Sequence, residues 1–193
     1  MDTTLRSNDA AALARRVLGL FKLRIGFVIM VTALAGYAVT PGAGSGGVPL
    51  AVLALAVLIS SASAGAFNQY IEYDTDRLML RTRGRAFPTG ALPHTPAWLL
   101  LIGVLLAGSV AAAWYATNPL AALYVFLGAF FYAVVYTVWL KRRTWLNIVV
   151  GGLAGSFSVL AGAAAASPSR QRHVRQTNQR RRCRRHALTP SDH

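Results

Sequence analysis

The sequence is poor in the residues on which most soluble chemistry depends. There is one cysteine, Cys183, so neither an internal disulfide nor a cysteine-based metal cluster is available. Only six of 193 residues are acidic, and charged residues of both signs make up 13% of the chain against 54% hydrophobic residues. Soluble domains carry about 25% charged residues. Together with a mean hydropathy of +0.43, this scarcity points to a chain that lives in a bilayer.

What is present is long apolar runs separated by basic or neutral connections. Runs of spanning length occur at Ile25–Val39, Pro49–Tyr70, Ala97–Tyr115, Leu120–Leu140 and Ile148–Ala166. They predict an all-α, polytopic transmembrane bundle of about five helices. The segment 1–24 is polar and basic, with a weakly amphipathic stretch from Ala10 to Phe21, and the run that follows is too long for the apolar core of a signal peptide. The connection 40–48 has no charge and 116–119 is neutral, whereas 71–96 carries Arg77, Arg81, Arg83 and Arg85 and 141–143 is Lys-Arg-Arg. By the positive-inside rule the amino terminus and these basic loops lie in the cytoplasm, and the expected location is the inner (plasma) membrane.

The last segment, 167–193, breaks this pattern. Eight arginines fall between positions 170 and 185, on the side where five spans would place a non-cytoplasmic tail, and no apolar periodicity accompanies them. One reading is a basic cytoplasmic tail after a failed fifth span, touching anionic lipid or nucleic acid. The favoured reading is a non-native end, such as a shifted reading frame, which divides the chain into a basic segment 1–24, a membrane domain 25–166 and an arginine-rich tail 167–193. No specific nucleic-acid partner is expected, because the arginines lack interleaved aromatics.

The chemistry-bearing stretch is Asn68-Gln-Tyr-Ile-Glu72-Tyr-Asp74-Thr-Asp76-Arg77, followed by Arg81-Thr-Arg83-Gly-Arg85-Ala-Phe-Pro88-Thr-Gly90. Half of the acidic residues of the chain sit within it. Asn68, Glu72 and Asp76 are spaced i, i+4, i+8, so a continuing helix would align three oxygen donors on one stripe, with Asp74 pointing elsewhere. Carboxylates at the edge of hydrocarbon are costly and usually functional. Oxygen-only donors suit magnesium, held by one or two carboxylates plus substrate phosphates, and nearby arginines can take phosphate oxygens. The competing reading is that the arginines set topology and pair with the acids; Asn68, an amide inside an apolar run, argues against it.

This pattern, Asn-x-x-x-acid-x-x-x-Asp followed by Arg-Thr-Arg-x-Arg-x-x-Pro-x-Gly, resembles the first acidic motif of the UbiA-type intramembrane prenyltransferases, and its Asn-x-Tyr-Ile context is most like the protohaem IX farnesyltransferase (haem O synthase) branch. The segments Phe21–Gly36 and Tyr136–Ser156 are similar to that branch's first helix and to its fourth loop and fifth helix. The resemblance implies a chain corresponding to the amino-terminal half of a nine-helix fold. It implies transfer of a farnesyl group from farnesyl diphosphate to a vinyl group of haem b, giving haem O, with Mg2+ as cofactor. It also implies roles: Asn68, Glu72 and Asp76 on magnesium, and Arg81, Arg85, Lys141 and more weakly Arg24 on the diphosphate. Three departures stand out: Lys22-Leu23-Arg24 replaces the family's Lys-Pro-Arg, Glu72 replaces an aspartate, and the second acidic motif of the family is not in these 193 residues. A quinone- or chlorophyll-type prenyltransferase is an alternative that the flanking segments speak against, and the absent second acidic motif keeps open a non-catalytic membrane fragment or a small ion transporter. The glycines at 151, 152 and 155 are expected to pack helices closely, and His94 to be a solvated loop residue.

Overall fold

The structure is a computed structural model that describes residues 17–41, 46–140 and 147–166. Lys141, residues 1–16 and the arginine-rich segment 167–193 lie outside the described residues. The described chain is helical, without strands. Its elements are α1 (Leu23–Ala38), α2 (Gly47–Ile71), the short α3 (Tyr73–Leu78), α4 (Ala97–Ala116), α5 (Pro119–Phe130) and α6 (Asn147–Ala166). Helix α5 runs on into ten residues of wider π winding, Phe131–Leu140.

The five apolar runs of the sequence are thus five helices. Three are long and apolar enough to cross a membrane: Gly47–Ile71, Ala97–Ala116 and the continuous Pro119–Leu140. Leu23–Ala38 and Gly151–Ala166 are shorter apolar helices. Only helices satisfy every backbone polar group within a single spanning segment, so charge-free runs of this length have no other stable state in hydrocarbon.

The packing follows the same logic. Helix α1 lies between α2 and α6, α2 packs on α4, α4 on α5, and α5 on α6, so the helices close into a ring. Small residues fill its inside, among them Ala33, Ala56, Ala113, Ala121, Ala122 and Ala161, while Phe27, Val28, Leu100 and Val104 face outward. Lipid tails are as apolar as leucine, so burying large side chains gains little; close approach of small ones gains contact between helix backbones. The tightest approach is between α1 and α6. A Cβ added at Gly162 would collide with the Ala33 carbonyl oxygen and come within 2.8 Å of the Tyr37 amide nitrogen. One added at Gly36 would collide with the Val159 carbonyl. Beside this seam Thr32 and Ser158 share a hydrogen bond of 2.7 Å between their hydroxyls. At the opposite edge of α6, Asn118 caps α5 by accepting from the Ala121 amide at 2.8 Å and donates to the Ala164 carbonyl at 2.7 Å, tying two helix ends with one side chain.

A second apolar cluster sits where α2 and α4 meet the connection 79–96. Phe87 is 1% exposed there, packed with Leu20, Ala66, Leu92 and Ile102. It holds down the connection that carries the arginines.

Candidate acidic site and the cavity behind it

Asn68, Glu72 and Asp76 are 2%, 6% and 2% exposed. Helix α2 ends at Ile71 and α3 begins at Tyr73, with Glu72 as the junction, yet the Asp76 amide donates to the Glu72 carbonyl at 2.8 Å and the Glu72 amide to the Asn68 carbonyl at 3.1 Å. The i, i+4 ladder therefore survives the break, and the three side chains stay on one stripe. Asp74, off the stripe, is exposed.

The two carboxylates converge on one guanidinium. Arg85 Nη1 donates to Asp76 Oδ2 at 2.6 Å and lies 3.5 Å from Glu72 Oε2. Its backbone is fixed by turns: the Arg85 amide donates to the Thr82 carbonyl at 3.0 Å, and the Arg85 carbonyl accepts from the Thr89 hydroxyl at 2.9 Å. Thr82 in turn bonds back to the Asp76 carbonyl at 3.3 Å. Arg81 and Arg24 are exposed and are not drawn into this cluster.

Asn68 looks the other way. Its carbonyl oxygen accepts from Lys22 Nζ at 3.0 Å, and its amide nitrogen donates to the Thr137 hydroxyl at 3.1 Å. Thr137 lies in the π segment and donates to the Tyr132 carbonyl, five residues back, at 2.8 Å. One amide thus joins the entry of α1, the exit of α2 and the wide turn after α5. Lys22, read in the sequence only within Lys22-Leu23-Arg24, and Thr137 were given no site role there; their partner is 46 and 69 residues away. A faint local signal exists in Lys22 itself, a lone lysine where an apolar run begins. It takes φ 45° between the turn at 17–20 and α1, the one described non-glycine residue with positive φ. Gln69 supports that bend by donating to the carbonyls of Leu20 at 2.8 Å and Gly19 at 3.3 Å.

Two cavities have Lys22 in their lining. One, about 300 Å³, runs inward between α1, α2, α5 and α6 past Ile29, Val57, Tyr124 and Ser158. From Lys22 to Ile29 it follows roughly 10 Å of helix. Gly152 and Gly155 line this cavity, and a Cβ at either would meet nothing within 4 Å; they leave space rather than close a helix contact, contrary to the packing role expected of them. The other cavity, about 490 Å³, opens at the loop end and is lined by Lys22, Gln69, Arg85 and Thr89 among others. An apolar chamber and a cationic one therefore have Lys22 in common in their linings.

The UbiA prenyltransferase family matches residues 29–174. The chain belongs to the UbiA family. Among curated UbiA-type relatives it is similar to protoheme IX farnesyltransferase 2 of Paramagnetospirillum magneticum, 56% identical over 149 residues, covering 77% of this chain and 52% of the relative. It is likewise similar to the protoheme IX farnesyltransferases of Pyrobaculum neutrophilum, at 41% identity over 75% of this chain and 51% of the relative, and of Hyphomonas neptunium, at 40% over 81% and 50%. The chain spans about half the length of these curated relatives. No solved structure matches it. Membership in the UbiA family and the apolar helices together make it a multi-pass helical membrane protein.

The donors present fit a hard divalent cation. Two carboxylate oxygens that both approach one nitrogen can approach one metal ion, and oxygen donors from one or two carboxylates are what magnesium takes from proteins. Among the described residues no group of three His, Cys, Asp or Glu side chains gathers into a complete metal cage. Phosphate oxygens and water would have to supply the remaining positions.

Proposed function

We propose that this chain carries the first acidic site and the donor chamber of a haem farnesyltransferase, binding farnesyl diphosphate and transferring its farnesyl group to haem b. The observation that carries the reading is Lys22, which lines both an apolar cavity and a cationic pocket, a pairing that suits a ligand with an apolar tail and an anionic head. The names of the curated relatives favour farnesyl diphosphate and haem over other pairs.

In this reading Glu72 and Asp76 hold Mg2+, which when bound neutralises the diphosphate as its allylic C–O bond breaks. Arg85 and Lys22 face the diphosphate from the open pocket, with the exposed Arg81 and Arg24 as further candidates and Lys141 as one proposed from the motif alone. Asn68 orients Lys22 through its carbonyl oxygen and keeps the role of an additional metal donor proposed from the motif. The lining of Ile29, Val57 and Tyr124 holds the farnesyl chain away from water, which protects the allylic cation from premature capture. The acceptor vinyl carbon forms the new C–C bond, diphosphate leaves with the broken C–O bond's electrons, and water adds to the remaining cationic carbon with loss of a proton, giving the hydroxyethylfarnesyl group. The basic loop end, with the amino terminus, faces the cytoplasm in the plasma membrane.

Membranes containing the protein are expected to form haem O from haem b and farnesyl diphosphate in magnesium buffer, read by chromatography of extracted haems. Binding of farnesyl diphosphate with prenylation only of a quinone-type acceptor would move the assignment to another UbiA branch. No magnesium-dependent binding of farnesyl diphosphate would remove it. Lys22→Met is expected to weaken farnesyl diphosphate binding by about ten- to a hundredfold, the value of one hydrogen bond to a charged group. Equal affinity in wild type and variant would exclude Lys22 from the head-group site.

A further inference from the structure

The guanidinium of Arg85 fills the space into which both carboxylates point, touching Asp76 Oδ2 at 2.6 Å and Glu72 Oε2 at 3.5 Å. Glu72 and Asp76 are buried, whereas the Arg85 side chain is 23% exposed and lines the open cationic pocket that neither carboxylate lines. Arg85 therefore both touches the acids and lines the pocket. A divalent cation and a guanidinium cannot both occupy that position, because like charges at such distances repel strongly.

We propose that Arg85 is a resident counter-ion of the acidic site, a positioning residue that exchanges places: it holds Glu72 and Asp76 until a divalent cation enters, then turns its guanidinium toward the anionic head group in the open pocket. The inference rests on the metal–diphosphate reading of this site. It makes cation and diphosphate binding mutually dependent. The cation alone must displace Arg85 without giving it a new partner, whereas diphosphate supplies one. Two coupled ligands that each bind better in the other's presence follow from this single side chain. The backbone does not have to move, since Arg85 is held at its amide by Thr82 and at its carbonyl by Thr89.

The test is Mn2+ binding to the purified full chain in lipid nanodiscs, followed by electron paramagnetic resonance, with inorganic diphosphate as the second ligand. Arg85→Gln is expected to bind Mn2+ about tenfold or more tightly than wild type when diphosphate is absent. Diphosphate should tighten Mn2+ binding in wild type and do so much less in Arg85→Gln. Arg85→Lys, which keeps the charge but loses the fork, should fall between them and serves if Arg85→Gln does not fold. Equal Mn2+ affinity in wild type and both variants, with Asp76→Asn weakening all of them, would overturn the exchange while leaving the metal site standing. Mn2+ binding that is indifferent to Asp76 in every background would overturn the metal reading itself, and the exchange with it.

Discussion

On the proposed function, Asp76→Asn is expected to lower farnesyl transfer by at least about a hundredfold, the scale of removing one charged group that meets developing charge at a reaction centre. The substitution is nearly isosteric, so its effect isolates charge. Asp76 is 2% exposed and makes the shorter of the two contacts to Arg85. An amide there can still accept a hydrogen bond but contributes no negative charge to a bound cation, and Glu72, 3.5 Å from the same nitrogen, is left to hold it alone. Stability should fall less than activity. Breaking a fully buried pair costs about 3–5 kcal/mol, but Arg85 is 23% exposed beside an open pocket and can turn to water, so about 1–2 kcal/mol is the expected cost after discounting for that exposure. The measurements are initial rates of haem O formation and thermal unfolding in the same detergent. Full activity in Asp76→Asn would remove the residue from the site, and equal losses of activity and folded protein would reduce it to a structural pair.

Gly162→Leu is expected to be the most destabilising single substitution among the described glycines. At Gly162 a Cβ meets the Ala33 carbonyl and the Tyr37 amide, both backbone groups that no rotamer change can move aside. Overpacking of a well-filled core costs about 1–3 kcal/mol when side chains can adjust; here α1 and α6 must separate, breaking the 2.7 Å bond between Thr32 and Ser158 and widening the cavity whose walls they form. The cost should reach or exceed the upper end of that range. Gly108→Ala makes the control, since a Cβ there meets nothing within 4 Å, and replacing a helical glycine gains up to about 1 kcal/mol. Melting followed by circular dichroism should drop sharply for the first and hold or rise for the second. A similar melting temperature in Gly162→Leu and wild type would mean that α1 and α6 do not depend on this approach.

The helices were legible in the sequence because a bilayer leaves the chain little choice. Pro49–Tyr70 became Gly47–Ile71 and Leu120–Leu140 became Pro119–Leu140, each read from nothing more than a run without charge. Asn68, Glu72 and Asp76 were legible for the same kind of reason: i, i+4, i+8 is a property of one helix, and the ladder carries it through the junction at Glu72. What stayed hidden depends on contacts between helices. Lys22 reads locally as one more basic residue at a helix start, and only Asn68, across the bundle, makes it part of the site. The glycines of α6 look alike in sequence, yet Gly162 closes a seam and Gly155 opens a chamber, because the neighbours differ. The wide winding of Phe131–Leu140, which presents Thr137 to Asn68, has no signature in its apolar composition.

His94 was expected to be a loop residue in water, and it is exposed, but its ring is stacked between Tyr70 and Tyr73 at centroid distances of 4.1 and 4.4 Å, with Nε2 3.1 Å from the Tyr70 carbonyl. Tyr70 and Tyr73 flank Glu72, so the far leg of the connection is clasped to the same helix end that carries the acids. Thr82 bonded to the Asp76 carbonyl fastens the near leg. A segment pinned on both sides of Arg85 does not swing as a flap. On the exchange proposed above, access to the carboxylates needs one side chain to change rotamer rather than a loop to open, so the site should load without waiting for a backbone motion.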